Sequence, residues 1–561
     1  MADPNYRDTL GAQVCAQYGR MFEVRGNFNT LWQSVSERVM PNYSDFTQKW
    51  SEGQRKTNRV FDSTAPQALV HGVAALESIL CPSSSRWHSL RPRDPRLRDD
   101  VAVMQWCDAV TDCLFDARYA PSANFQNQIG ECLKQIMTFG NGPWMVDDVM
   151  GYGLRYRCLN LAEVFAMENA AGVIDTVYRM FSLTASAALD AEKRGIFDEN
   201  SLPPEFRDKA VTAPTQTHDF IHAIYPNAER DTRRKDYKGM AFSSCIVMKE
   251  RQVVLRESGY HTQPIMVARY SVNSRETYGR GPGVDVLPEI LALNEMEKSD
   301  IRQTQRAAEP PLMLADDGSL GAFDLRGNSM NYGTLSSDGK PLVVPFQSGS
   351  QFEVTEKKLE QKREMIQRAF LNDVFSMLVE RPGMTATEVL QRAQEQGYLI
   401  APIIGRIQSE LFGPTIVREL DILHRADNLP PPPDAIKRAG GFDYDIVYEG
   451  QVQVMQRQSK ALAIGMVFQQ AAPLIQADAS VLKAVNMERT FKNIVEYLGA
   501  PADMLNTPDE MDAKAQAEAQ QAQLDNLASI AGPASSAIKN LSLAQQAAGS
   551  SGGGVGAAIA Q

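Results

Sequence analysis

Residues 276–311 read ETYGRGPGVDVLPEILALNEMEKSDIRQTQRAAEPP, a loop with three glycines that opens directly into a long helix. Such a loop either cradles a phosphate or forms a joint between a folded body and a rod. A dinucleotide fingerprint needs glycines spaced G-x-G-x-x-G after a strand, so that backbone amides approach a pyrophosphate at the helix N-terminus. Here Gly279, Gly281 and Gly283 alternate, and Pro282 removes one amide from any such cradle. Twenty positions on, the chain is still helical, so no second strand brings an acid to a ribose. The Gly339-Lys340 pair runs into Pro341, where a Walker loop needs Ser or Thr. The glycines read as a joint.

Asp285 is the expected N-cap of the helix, and Pro288 falls in its first turn, where a missing donor costs little. Glu309-Pro310-Pro311 stops it. About 24 residues at 1.5 Å each give a rod of roughly 35 Å. Its first half carries Leu287, Ile290, Leu291 and Leu293, but from Asn294 to Arg306 only Met296 and Ile301 are apolar. A helix polar nearly all round lies exposed, bridges solvent, or packs against copies of itself through polar pairs. The segment alone leaves these readings open.

At 561 residues the chain exceeds one core, so about two to four subdomains are expected. A formal charge of −11 argues against a generic nucleic-acid binder, whose affinity comes from cations that displace counterions. It leaves room for a protein that nucleic acid slides past. Seven cysteines form no C-x-x-C pair and fit a reducing compartment. The start, MADPNYRDTL, has no basic region followed by an apolar run, so no signal peptide is expected. No window approaches 18 uninterrupted apolar residues, and no membrane partner is expected.

Residues 7–39 read as one helix, through Leu10, Val14, Tyr18, Met21, Phe28, Leu31, Val35 and Val39, with Pro41 as its stop. Helices are expected at about 65–80, 99–118 and 122–139, the last ended by Gly140-Asn141-Gly142-Pro143. Short alternating runs then predict strands up to PIMVARY, with hairpins at ENAAG and KERQ and one helix at about 183–195. After the rod, 310–350 is rich in Gly, Ser, Asp and Asn, and a second long helix is expected over 353–379. Rod, small tip, rod is the pattern of a hairpin. ERPGMTA (380–386) breaks it, helices resume over 387–396 and about 403–424, and LPPPPDAIK is a stiff strap. Residues 449–500 read as helical again, and the Ala/Gln/Gly-rich end cannot build a core.

Little of this carries chemistry. His218 and His222 have the i, i+4 spacing of a helical zinc site, but THDFIHAIYP alternates as a strand, which would hold them roughly 13 Å apart. No G-x-S-x-G elbow occurs, and Asp147-Asp148 and Asp316-Asp317 fall in or beside turns, where paired acids are solvated. RWHSLRPRDPRLR (86–98) and RDTRRKDYK (230–238) read as surface loops that either touch phosphate or pair with acids, including those of a neighbouring copy. In KKLEQKREMIQR, Lys358 and Lys362 share one helical stripe. No catalytic group, cofactor or metal is expected.

Taken in order, QRKTNRVFDSTAPQALVHGVAALESILCPSSSRWHSLRP (54–92) and VVLRESGYHTQPIMVARYSVNSRETYGRGPGVDVLPEILALNEMEK (253–298) resemble the head-to-tail connecting, or portal, proteins of short-tailed double-stranded DNA phages. The resemblance extends over most of residues 5–500 and fades in the tail. It implies an α+β, predominantly helical protomer: a wing over 1–284, a stem helix over 285–309 and a clip over 310–350. The second long helix, 351–379, would belong to stem or wing. A tunnel loop, wing return helices and the strap would follow over 380–448, then a helical crown over 449–512 and a tail over 513–561. The family further implies a dodecameric ring at one capsid vertex of the virion, assembled in the host cytoplasm. Double-stranded DNA would be driven through it by a separate terminase and later ejected. The other implied partners are the major capsid or scaffold protein and a tail adaptor.

On that reading Gly279, Gly281, Pro282 and Gly283 form the joint at which the chain turns sharply into the stem. Arg302, Arg306, Lys358 and Lys362 are candidates to line the tunnel, and Arg381, Pro382, Gly383 and Met384 to form a loop that narrows it. Gly281→Val would then mis-set the exit angle of the rod and impair ring assembly while leaving the protomer mostly folded. The competing readings are a terminase-like packaging nuclease or ATPase, disfavoured by the missing motifs, and a tail or internal-core structural protein.

Overall fold

The computed structural model describes residues 4–48, 53–98, 100–149, 153–314, 338–345, 352–372, 400–439 and 442–449, with residues 330, 335, 461, 464–470 and isolated positions beyond 485. The chain divides into two compact units: Met1–His88 with Thr111–Leu429 and Tyr448–Gln453, and Ser89–Val110 with Pro430–Val447 and Val454–Gln561.

In the first unit, α1 (Pro4–Val24) and α2 (Gly26–Val39) replace the single expected helix. The break falls at Arg25, which is 1% exposed and donates to the carbonyls of Leu161 and Ala162, at 3.0 and 2.8 Å, and to Asn29 Oδ1. A guanidinium drawn inward to satisfy irregular carbonyls bends the helix that carries it. Next in the chain come α3 (Thr64–Leu80), β1 (His88–Pro92), α4 (Pro95–Arg98), α5 (Val101–Tyr119) and α6 (Phe125–Phe139), of which residues 89–110 belong to the second unit. The strand region is β2 (Asn141–Val149), β3 (Gly153–Cys158), β4 (Val164–Glu168), β5 (Ile174–Thr184), β6 (Thr217–Pro226), β7 (Phe242–Met248), β8 (Val253–Tyr260) and β9 (Ile265–Arg269). Two helices interrupt it: α7 (Ala185–Lys193), as expected, and α8 (Pro204–Thr212), which the sequence reading missed.

The strands form two antiparallel sheets, ordered β3-β2-β9 and β4-β5-β6-β7-β8. Alternation sorts the larger sheet into two faces. Tyr178, Ile221, Ala223, Cys245 and Val247 pack against α1, and Phe220, Ile246, Met248 and Leu255 pack against α7 and α8. Asp147 and Asp148 lie near the end of β2, opposite Arg155 and Leu154, beside the connection to β3 and not in it. His218 and His222 lie on β6, the first 3.0 Å from Glu250, the second 2.9 Å from Ser244 Oγ.

Burial, then Arg179, Arg157 and Arg256, lower the pKa of His222 to about 4. The unfolded chain protonates that imidazole near its ordinary value of about 6.5. Between these values the unfolded state alone takes up the proton, so stability is lost as pH falls through the window. His222→Gln is expected to flatten the change in urea midpoint between neutral pH and mildly acidic pH.

The remaining elements of this unit are α9 (Pro282–Asp285), α10 (Leu287–Ala308), β10 (Leu312–Leu314), β11 (Val343–Pro345), α11 (Phe352–Ala369), helical residues 400–407, a π turn at Gln408–Phe412, and α12 (Gly413–Arg425). The second rod, expected over 353–379, breaks at residues 370–371, and residues 373–379 lie outside the described residues. Leu371 takes a left-handed conformation (φ 65°), and the Phe370 carbonyl oxygen sits where a Cβ on Gly72 of α3 would be, 2.3 Å away. Phe370 is fully buried there.

The second unit holds most of β1 paired with β12 (Tyr444–Tyr448), together with α13 (Asp434–Ala439). The strap is tied down by Trp106, whose indole donates to Pro430 O at 2.9 Å and meets Phe442 edge-on at 4.8 Å. The arginine-rich stretch is therefore a strand and a helical turn rather than a loop. Its Arg93 pairs with Asp443 and Asp445 of its own chain, at 3.0 and 2.9 Å. In the first unit Trp87 and His88 are buried, since their rings pack on Phe115. Together these elements make an α+β protein dominated by helix. Residues 464–470 are helical, as expected for that region, whereas most of 449–512, the segment 387–396 where a helix is expected, and most of the tail lie outside the described residues.

Candidate functional site

The joint is built on the C-terminus of α6. That helix is held by Phe125, Ile129, Cys132, Leu133, Ile136 and Phe139, all buried. It stops at Gly140, whose φ of 84° is left-handed and whose N–H donates to Ile136 O at 2.9 Å. The loop 279–283 lies directly on this end. A Cβ at Gly279 would stand 2.6 Å from Gly140 O, one at Gly281 2.6 Å from Ile136 O, and one at Gly283 2.6 Å from Thr138 O. A Cβ at Gly140 would in turn stand 2.4 Å from the Arg280 carbonyl carbon.

Gly281 itself is extended (φ −111°, ψ 170°), a conformation open to any residue. The loop glycines therefore serve close backbone approach and not the sharp turn that the sequence suggested. Gly140 and Asn141 had been read only as a helix stop, and they complete the joint. Asn141 Oδ1 accepts from Gly279 N at 2.8 Å, and its Nδ2 donates to Gly279 O at 3.0 Å. Arg280 N donates to Ser271 O at 2.8 Å. Tyr278 packs edge-on to Trp32 at 5.3 Å, and its hydroxyl accepts from Ala166 N at 3.0 Å. Beneath the loop, Arg269 is 4% exposed and forks onto Glu410, with Nε 3.0 Å from Oε2 and Nη2 2.8 Å from Oε1.

Pro282 opens α9, with Gly281 as its N-cap. Asp285 is thus inside a helical turn and is not the cap, and partial burial raises the pKa of its carboxyl while Arg280 lowers it. The axis breaks at Val286 because the Pro288 ring cannot sit against the carbonyl four residues back. From Leu287 the helix runs unbroken to Ala308, and Glu309 caps it as expected.

Only the first two turns of α10 enter the core, through Leu287, Ile290, Leu293 and Asn294. Beyond Asn294 no residue of the helix is buried, and Ile301 is 41% exposed. The second rod, α11, pairs with it. The ladder of Leu312, Met313 and Leu314 with Pro345, Val344 and Val343 closes the far end of a two-helix hairpin. Arg363 reaches Glu297 at 3.1 Å and Asp62 at 2.9 Å, and Lys362 lies 3.7 Å from Glu289. Asn294 Oδ1 accepts from Phe61 N at 2.8 Å, and its Nδ2 donates to Ile290 O at 2.9 Å. Asn294→Ala strands the Phe61 N–H and is expected to cost about 1–3 kcal/mol in a urea melt.

Gly279, Gly281, Pro282 and Gly283 are thus brought together on α6. Arg302 and Arg306 lie on the exposed part of α10 and Lys358 on α11, without ion-pair partners among the described residues, whereas Lys362 is half-buried and paired. Arg381, Pro382, Gly383 and Met384 lie outside the described residues, as does most of the tip. Among the described residues no group of acids, histidines or cysteines could hold a metal ion.

The joint on α6 thus carries a two-helix hairpin whose outer half is polar and unburied. The chain matches the bacteriophage head to tail connecting protein family over residues 12–505, and it belongs to that family. It is 22% identical over 505 residues to the probable portal protein of Bordetella phage BPP-1, covering 88% of each chain. It is also 22% identical over 553 residues to the portal protein of Salmonella phage epsilon15, covering 96% of each. Among solved structures it is similar to chains of a native gene transfer agent virion and of the neck of an empty particle, each at a TM-score of 0.37 and 14% identity, covering 83% of this chain and 99% of the other. The family read from residues 54–92 and 253–298 is borne out. The chain is a structural component of the virion at the head-to-tail junction.

Proposed function

We propose that the chain forms a closed ring of identical copies, a dodecamer, at one capsid vertex, and that double-stranded DNA enters and leaves through its axis. The observation that carries this reading is the unburied surface of α10 beyond Asn294, too long and too polar to be finished by its own protomer. Copies around an axis supply what it lacks. The names of the two relatives over nearly the whole length support the same reading.

In this ring α10 and α11 form the stem, 310–350 the clip, and the first sheets and helices the wing. Arg302, Arg306 and Lys358 are sparse cations facing DNA, and Arg381, Pro382, Gly383 and Met384 form a constriction. A net charge of −11 keeps the wall from adhering, since retention by counterion release grows with each cation in contact. The chain itself catalyses nothing. A terminase supplies the work, and the capsid or scaffold protein and a tail adaptor dock on the ring. Native mass spectrometry of the purified chain tests this: a mass of about twelve copies is expected, and a monomer that hydrolyses ATP would overturn it.

A further inference from the structure

The stretch RDTRRKDYK has no part in the joint or the stem. Residues 227–241 carry it between β6 and β7, where about two to five residues usually turn a hairpin. The pair Pro226–Phe242 closes the strands beneath it. The loop has a fixed form. Asn227 N donates to Ala241 O at 2.9 Å, and its Nδ2 donates to Lys238 O and Met240 O, each at 3.1 Å. Arg230 Nε donates to Gly239 O at 3.1 Å. Tyr237 ties the loop to β8, its hydroxyl 3.0 Å from Glu257 Oε2. A long loop braced by its own polar groups, with most of its side chains exposed, is built to present them.

Those side chains are mainly cations. ERDTRRKDYK (229–238) holds five cations and three acids, in a chain of net charge −11. Arg234 is engaged by Asp236, its Nε 3.0 Å from Oδ1. Arg233, Lys235 and Lys238 are exposed and have no ion-pair partner among the described residues. Backbone bonds across the loop hold this stretch together, from Asp231 N to Lys238 O at 3.2 Å and from Arg234 N to Asp231 O at 3.0 Å. The interleaved acids set the kind of partner. Glu229 and Asp231 repel a phosphodiester chain, whereas a protein surface of mixed charge accommodates them.

The opposite end of the same sheet offers such a surface. Residues 185–216, which hold α7 and α8, leave the sheet at Thr184 and return at Thr217, the last pair of β5 and β6. They contain six acids and four cations. Glu199, Asp208 and one cation, Arg194, are exposed there without ion-pair partners among the described residues. Ile196 and Val211 are 48% and 81% exposed, and Val211 lies one turn from Asp208 on α8. Acids beside exposed apolar groups suit Lys and Arg, whose stems cover apolar surface while their heads meet the charge. A copy's own loop faces elsewhere. α7 and α8 cover one face of the sheet, whereas Glu257, which anchors the loop, stands opposite Cys245 on the face that packs α1.

We infer that the 227–241 loop of one copy docks on the α7–α8 segment of the next, with Arg233, Lys235 and Lys238 meeting Glu199 and Asp208 over Ile196 and Val211. Two unlike patches joined head to tail repeat from copy to copy and close as a ring where the rotation allows. The inference therefore rests on the ring proposed above and names one of the contacts that hold it.

Sedimentation velocity of the purified full chain over a range of concentrations tests it. Two charge reversals are made separately, Arg233→Glu with Lys235→Glu, and Glu199→Lys with Asp208→Lys. Each is expected to raise the concentration of half-assembly at least about tenfold, because like charges then face each other. All four changes together restore opposite charges across the contact, and should return it to within about threefold of the unaltered chain. That recovery also shows that the altered chains fold. Where a reversal does not fold, Lys235→Gln and Asp208→Asn should each move the midpoint the same way by less. Unaltered rings with unchanged assembly in both reversed pairs overturn the inference alone, as does a fourfold variant no better than the pairs. An unaltered chain that stays monomeric at every concentration overturns the ring and the inference with it. A loop reversal that weakens only the binding of a DNA duplex assigns the loop to nucleic acid and overturns the docking.

Discussion

Gly281→Val is expected to unfold the protomer and not merely to misdirect the rod. The sequence alone suggested the milder outcome, a folded chain that fails to assemble. The structure places a Cβ at this position 2.6 Å from Ile136 O, 2.8 Å from Met137 O and 2.8 Å from Gly140 N. All three are backbone atoms of a buried helix end and cannot swing aside as a side chain would. Relief requires that α6 part from the 279–283 loop, which breaks the Asn141 bonds to Gly279 and uncovers Trp32 and Tyr278. Losses of this kind reach about 4 kcal/mol or more, a large part of the stability of any domain. Thermal melts of the soluble chain check it. A variant with an unchanged melting temperature that forms no rings would restore the milder reading.

Glu419→Ala is the second large effect. Arg118 of α5 and Glu419 of α12 are both fully buried and face each other through Nε–Oε1 at 3.1 Å and Nη2–Oε2 at 2.5 Å. Tyr156 of β3 donates its hydroxyl to the same Oε1 at 2.6 Å, and the guanidinium lies 4.6 Å from the Trp87 ring. Burial pushes the Arg118 pKa down, and the Glu419 carboxylate more than offsets it. Removing the acid leaves a guanidinium and a phenol unpaired in the core, at about 3–5 kcal/mol. Replacing both charges, as Arg118→Met with Glu419→Leu, should cost less than either single change, because no orphaned ion remains. Additive losses in the double-mutant cycle would deny that the two groups are coupled.

What could be read from residues alone depended on how local the cause was. Alternation between Trp144 and Tyr270 sufficed for the strands, and the prolines at 310 and 311 for the end of the rod, because both signals lie within a few positions. The joint was visible as a pattern of glycines, yet its purpose was not, since Gly281 is constrained by carbonyls of residues 136 and 137. The break at Arg25 has the same origin: its acceptors belong to residues 161 and 162. Five arginines made 86–98 look like surface, although Trp87 and His88 are buried by Phe115. The candidate tunnel residues were the least legible: Arg302, Arg306 and Lys358 have no ion-pair partner among the described residues, and residues 381–384 lie outside them.

The central claim is that the unburied flank of α10 is completed by sister copies around a shared axis. A three-dimensional reconstruction of purified assemblies by electron cryo-microscopy addresses it most directly. The account predicts a closed ring in which the α10 surface from Glu295 to Arg306 meets the hairpin of the adjacent copy, with an axial hole wide enough for duplex DNA. A single-copy particle, or a ring whose hairpins stand apart in solvent, would contradict it.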